Sequence, residues 1–225
     1  YWLSNQQRMG VWDNAVSVLA ERATNKTFIN RGFGTSRKSQ YHDEALLPYL
    51  AEALADRPGS KKLIIVHLMG SHFPYSSRYP PQFDKHHGRG ETIDAYDNSI
   101  AYTDHFLGKL FRMAEEAGTS ATVYFSDHGE DPVAGLGHNS TKMTKAMVEI
   151  PFIVQLSDQF MARYPQAVEQ MAQSLDKPLT GDYIFNLLVW LMRIRGLDSV
   201  NPLLPDFSCE PRYTKNGELL YSTLK

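Results

Sequence analysis

The 225-residue sequence predicts an α/β fold, a mostly parallel sheet flanked by helices, on three observations. Segments 63–68, 121–125 and 150–156 are short, nearly continuous apolar runs, as expected of parallel strands covered on both faces. Stretches with helical spacing of apolar residues alternate with them. Loops bearing histidine and carboxylate follow two of the runs, and ligands in α/β sheets sit beyond strand ends.

The elements read as follows. Trp2-Leu3-Ser4 is the end of a strand entering a loop over 5–10. Asp13 or Asn14 caps a helix to residue 23, with Val16, Leu19, Ala20 and Ala23 at helical spacing. A short strand over 27–33 precedes a polar loop, 34–40. Asp43 is placed as the cap of a helix over 44–55, with Pro48 near its first turn. The breaker Arg57-Pro58-Gly59-Ser60 leads to the strand 63–68. The loop 69–91 has a length usual for functional or partly disordered loops. A long helix, 92–117, ends at Gly118. After the strands 121–125 and 150–156, segments 159–175 and 180–195 are helical, and Asn216-Gly217 marks a C-terminal β-hairpin over 213–221. No internal repeat or linker divides the chain, which reads as one domain over 1–225.

Hydrophobic residues at 42% and charged residues at 21% are ordinary for a globular domain. A formal net charge of -2 leaves no nucleic-acid footprint, and no polybasic run suggests a membrane surface. No apolar stretch reaches the roughly 18 residues of a membrane span. The segment 183–192 fits a buried helix instead. No signal peptide opens the chain, which says little if the true N-terminus lies upstream. The single cysteine, Cys209, excludes a disulfide framework within the chain and reads as structural, although a partner upstream or a free thiol fits too.

The strongest chemical signal is Ser126-Asp127-His128-Gly129-Glu130 at the end of an apolar strand. Adjacent carboxylate and imidazole are ready ligands for Zn²⁺ or Mn²⁺. Glu130 and Asp131 read either as acceptors for an imidazole N–H or, preferred, as a solvated turn. His138, between Gly137 and Asn139, is an exposed loop histidine or a second site group, and its proximity to Asp127-His128 favours the latter. His67 and His72 leave the earlier strand end; His67 is a satisfied core histidine or a site residue, and His72, in the loop, is a site candidate. Asp97, Asp104 and His105 share a helix face and fit loop or solvent contacts better than a metal site, with Tyr96, Ile100, Phe106 and Leu107 facing inward. His86-His87 suggests a mobile loop near a substrate. Gly34-Thr35-Ser36-Arg37 lacks the strand-to-helix setting of a nucleophile loop, so no nucleophile accompanies Asp127-His128.

Trp2-Leu3-Ser4-Asn5-Gln6, His67-Leu68-Met69-Gly70-Ser71-His72, Tyr96-Asp97-Asn98-Ser99-Ile100 and the 124–130 motif occur in the order seen in bacterial phosphoethanolamine transferases. The chain thus resembles that family, in the sulfatase branch of the alkaline phosphatase superfamily. The resemblance implies an alkaline phosphatase/sulfatase-like fold and a membrane-anchored periplasmic enzyme. It implies that phosphoethanolamine passes from phosphatidylethanolamine, through a covalent phospho-threonine, to lipid A or the lipopolysaccharide core. It places Asp127 and His128 as zinc ligands and His72 and His138 as catalytic groups around the phosphoryl group or a second zinc, with His67 beside the substrate. The family's Thr, its metal-binding Glu and its membrane helices fall upstream of Trp2. The chain is therefore expected to be the C-terminal part of a catalytic domain, inactive alone. Two readings compete: a sulfatase or phosphodiesterase of the same superfamily, and a binding domain that has lost its nucleophile. The acceptor is expected to be selected by the loops 76–91 and 129–145.

Overall fold

In the computed structural model, β1 (Trp2–Ser4) is the centre of a three-stranded parallel sheet with β2 (Lys26–Phe28) and β3 (Ile65–His67) on either side. The structure describes residues 1–9, 14–30, 41–135, 137–139, 141–175, 181 and 184–194. Asp13, the loop 34–40, Cys209 and the hairpin over 213–221 lie outside the described residues. The chain divides into two compact units, Tyr1–Gly118 and Thr119–Lys225.

In the first unit, flanking on both sides buries all three residues of β1. Ser4 pairs in register with Phe28 and His67. The strand expected over 63–68 shortens to β3, which is half-buried because only one of its edges is paired among the described strands. Helix α1 (Asn14–Glu21) buries Ala20 but leaves Leu19 exposed. A 3-10 turn, Asp43–Leu46, precedes α2 (Leu47–Ala55), where Pro48 occupies the first turn as its missing N–H allows. Asp43 caps nothing: the turn's N-cap is His42, with no side-chain bond.

Helix α3 (Glu91–Glu116) buries Ala95, Asn98, Tyr102, Phe106, Leu110 and Ala114, a stripe repeating every three to four residues. Ile100, expected inside, falls off that stripe and is exposed. The loop before α3 is bonded to the first turns of that helix. Buried Asn98 accepts the backbone N–H groups of Lys85 and His86 at Oδ1, at 2.9 and 2.8 Å, and donates to Asp84 Oδ1 at 3.0 Å. Asp94 accepts from Gly88 and Arg89. Two 3-10 turns, Tyr75–Ser77 and Pro81–Phe83, give this loop structure of its own.

In the second unit, β4 (Ala121–Phe125) and β5 (Phe152–Leu156) pair antiparallel, with Val123 opposite Val154. A parallel pair needs a crossover that packs over the sheet. Here the connection folds back and, among its described residues, holds one helical turn, α4 (Lys145–Val148). The helix expected over 159–175 is two, α5 (Asp158–Arg163) and α6 (Pro165–Ala172). Pro165 causes the break, since the residue before proline is pushed from helical geometry; Tyr164 sits at φ -132°, ψ 55°. Helix α7 (Ile184–Leu191) supplies Leu187 and Leu191, which join Phe160 in a core covered by Val123, Phe152, Leu156 and Trp190.

Candidate metal centre

The second unit's site begins where β4 ends. Ser126 Oγ donates to the His128 carbonyl at 2.6 Å, turning the chain as it leaves the strand. Gly129 then passes against α4: its N–H donates to the Met147 carbonyl at 2.9 Å, and a Cβ there would lie 2.0 Å from the Ala146 carbonyl oxygen. Only a residue without a side chain can take that path. It carries Glu130 inward, where its side chain keeps 5% exposure. Asp131 N–H then donates to the Gly137 carbonyl at 2.8 Å, closing a loop whose return runs through Gly137 at φ 56°. The N–H of Ala134 donates to Asp131 Oδ1 at 2.8 Å and holds that carboxyl below its ordinary range, which braces the turn.

This closure delivers His138 to Glu130. His138 Nδ1 lies 2.9 Å from Glu130 Oε1, and the His128 and His138 rings are 4.4 Å apart, tilted by 36°. His128 Nδ1 lies 2.9 Å from the Gly129 carbonyl. A carboxylate and a carbonyl only accept, so in the neutral imidazoles both rings carry the proton on Nδ1 and the lone pair on Nε2. One ligand atom from each of His128, Glu130 and His138 lies within 4.8 Å of the others. Two imidazoles and a carboxylate are a donor set suited to zinc.

Of the residues expected from sequence, His128 and His138 are thus brought together. Asp127 stands beside them with an 87% exposed side chain; its Oδ1 accepts the His128 N–H at 3.1 Å and its Oδ2 is 3.8 Å from His128 Nε2. Glu130 reverses the preferred reading: it is buried and bonded to an imidazole, not part of a solvated turn. Asp97 and His105 take structural partners, Arg89 at 2.9 Å and Glu44 at 3.4 Å.

His67 and His72 belong to the first unit. His67, the last residue of β3, has Nδ1 3.2 Å from Ser4 Oγ and packs edge-on against Trp2. His72 is partly exposed, with Nδ1 2.7 Å from the Phe73 carbonyl, which again puts the ring proton on Nδ1 in the neutral form. Two buried ions support its loop, and sequence gave neither a role there. Asp43 accepts from Met69 N–H, Gly70 N–H and Asn5 Nδ2, and Arg78 donates to the His72 and Phe73 carbonyls. Burial pushes the Asp43 carboxyl up from its ordinary value, against the N–H groups of Met69, Asn5 and Gly70 and the Arg78 charge. Burial likewise lowers Arg78, against Asp43.

Among the described residues no helix is long and apolar enough to cross a membrane. The chain is 33% identical over 188 residues to phosphoethanolamine transferase EptC of Escherichia coli K12, covering 76% of this chain and 32% of that protein. It is 31% identical over 150 residues to the Kdo(2)-lipid A phosphoethanolamine 7''-transferase of Salmonella typhimurium LT2, covering 61% and 26%. It thus spans about a third of the length of these relatives or less. The crystal structure of the C-terminal periplasmic domain of EcEptC from Escherichia coli, in complex with Zn, superposes with a TM-score of 0.84 at 28% identity, over 99% of this chain and 68% of that one. Residues 1–180, across both units, match the sulfatase family, and the chain belongs to that family.

Proposed function

We propose that the protein transfers phosphoethanolamine from phosphatidylethanolamine to lipid A or the lipopolysaccharide core, at the periplasmic face of a bacterial inner membrane. The observation that carries this reading is the convergence of His128, Glu130 and His138 beyond β4, in a chain similar to phosphoethanolamine transferases. The zinc in the EcEptC structure supports zinc as the metal. In this reading residues 1–225 are the C-terminal portion of one catalytic domain, held to the membrane by upstream helices.

Asp127 and His128 would hold zinc, and Glu130 would orient His138 through its Nδ1–H. Zinc, when bound, would lower the pKa of an attacking hydroxyl and neutralise phosphoryl charge. His72 and His138 would stand around the phosphoryl group or a second zinc, one of them protonating the diacylglycerol oxygen as it leaves, and His67 would back the substrate. A threonine upstream of Trp2 attacks phosphorus and carries the group as a phospho-threonine until the acceptor takes it. The chain alone would then not turn over.

Intact-mass spectrometry of the whole gene product with zinc and phosphatidylethanolamine tests this, with the 225-residue chain as control. A phosphoethanolamine adduct on the whole product alone is expected. An adduct on the short chain would overturn the placement of the nucleophile. Release of free product without an adduct or transfer would favour a phosphodiesterase of the same family.

A further inference from the structure

Asp43 lies at the start of the 3-10 turn before α2, 5% exposed, where it caps nothing. Its carboxylate reaches across 26 residues of sequence to the loop that leaves β3. Oδ1 accepts from Met69 N–H at 2.9 Å and Oδ2 from Gly70 N–H at 2.9 Å. Two successive N–H groups, with Gly70 at φ 56°, form a concave backbone nest of the kind that binds anions, and the anion here is the protein's own side chain. Asn5, fully buried at the end of β1, aims the carboxylate with a 2.8 Å bond from Nδ2 to Oδ1 and anchors itself on the Tyr41 carbonyl at 3.0 Å.

The far end of the same short loop is gripped by the opposite charge. Arg78, 3% exposed, donates through Nε to the His72 carbonyl at 2.6 Å and through Nη2 to the Phe73 carbonyl at 3.3 Å. That Phe73 oxygen also meets His72 Nδ1. Burying two ions is a poor route to stability, because desolvation offsets much of their attraction. It is a good route to a fixed loop path. Apolar packing cannot hold two N–H groups and two carbonyls in register.

We propose that Asp43 is a positioning residue for His72: clamping the Met69–Gly70 turn, with Arg78 on the other side, it sets where the His72 imidazole stands. The proposal rests on the transferase reading only in that His72 then acts on the phosphoryl group.

The test uses the whole gene product with ¹⁵N-labelled histidine, the His72 ring signal being assigned through His72→Asn. Asp43→Asn keeps the volume but turns one acceptor into a donor facing an N–H. Its kcat is expected to fall about 100-fold with KM within about twofold, the signature of lost positioning. The His72 ring signal should shift or split while those of His128 and His138 stay. Asn5→Ala, which leaves both backbone bonds to Asp43, should move the His72 signal in the same direction with a loss of under about tenfold. A folded Asp43→Asn protein with an unmoved His72 signal overturns the proposal, even if it is less stable. Should Asp43→Asn not fold, an unmoved His72 signal in Asn5→Ala overturns it instead. If the wild-type protein transfers no phosphoethanolamine, the functional reading fails by itself, and the His72 signal still decides the role of Asp43.

Discussion

The loop after β3 and the loop after β4 both carry a histidine past a strand end, yet support reaches them from different distances along the chain. His138 is held by Glu130, eight residues away, inside a turn closed by its own backbone. His72 sits in a loop held by Asp43 and Asn5, and Met69 is 26 residues from the carboxylate it binds. A loop braced from within needs small residues at its tight points, such as Gly129. A loop braced from outside needs buried ions delivered by other elements, here Asp43 and Arg78. The two designs should fail differently under mutation.

The largest effect is expected from Asp43→Ala, which takes the acceptor from the N–H groups of Met69 and Gly70 and from Asn5 Nδ2, and removes a negative charge that favours the buried Arg78 guanidinium. A loss of about 3–5 kcal/mol is expected in denaturant unfolding. A loss under about 1 kcal/mol would mean the loop holds itself, and the contrast with the β4 loop would collapse.

Next comes Gly129→Ala. Its Cβ would meet the Ala146 carbonyl at 2.0 Å, and backbone cannot swing aside as a side chain does. About 3 kcal/mol of destabilisation is expected, with weakened zinc binding in calorimetry. Unchanged stability and affinity would show that the β4 loop tolerates a different path.

Glu130→Gln is smaller. It keeps size and an acceptor but removes the charge facing His138. Zinc affinity, read by competition with a chromogenic chelator, should drop about 10–100-fold, with stability nearly unchanged. An equal loss from Asp43→Asn would show that the two loops are not independently supported.

The smallest effect concerns Glu44, the neighbour of Asp43. Burial raises its carboxyl, but the bond from Lys109 and the charges of Lys109 and His105 outweigh that and hold it below the ordinary value of 4.5. A depressed folded value means its stabilisation is present above 4.5 and lost as pH falls through the lower folded value. The advantage of wild type over Glu44→Gln should be under about 1 kcal/mol at neutral pH, because the side chain is partly exposed, and should vanish in acid. Transfer activity should not change, which would assign the effect on His72 to Asp43 and not to its surroundings.

The sequence was legible where the physics is local. Apolar runs marked β3, β4 and β5, and helical spacing with Gly118 behind it marked α3. The approach of His138 to His128 was legible because the two lie ten residues apart with glycines that let the chain turn back, whereas Asp127 stays exposed beside them. The break at Pro165 was also written in the chain, yet the apolar spacing on either side hid it. The direction in which β5 pairs, the burial of Glu130 and the bonds of Asp43 were not legible.

By itself, then, the sequence determined the fold class, the strand ends that carry histidine and the family resemblance, since these depend on periodicity and on motifs within a few residues. Only the tertiary structure decided which carboxylates are buried and whom they serve. Asp43 and Asp127 are the same residue type in polar segments, and one is enclosed by Asn5, Met69 and Gly70 while the other stands in solvent. Burial of a charge depends on donors brought from distant parts of the chain, and no local pattern in the sequence records their arrival.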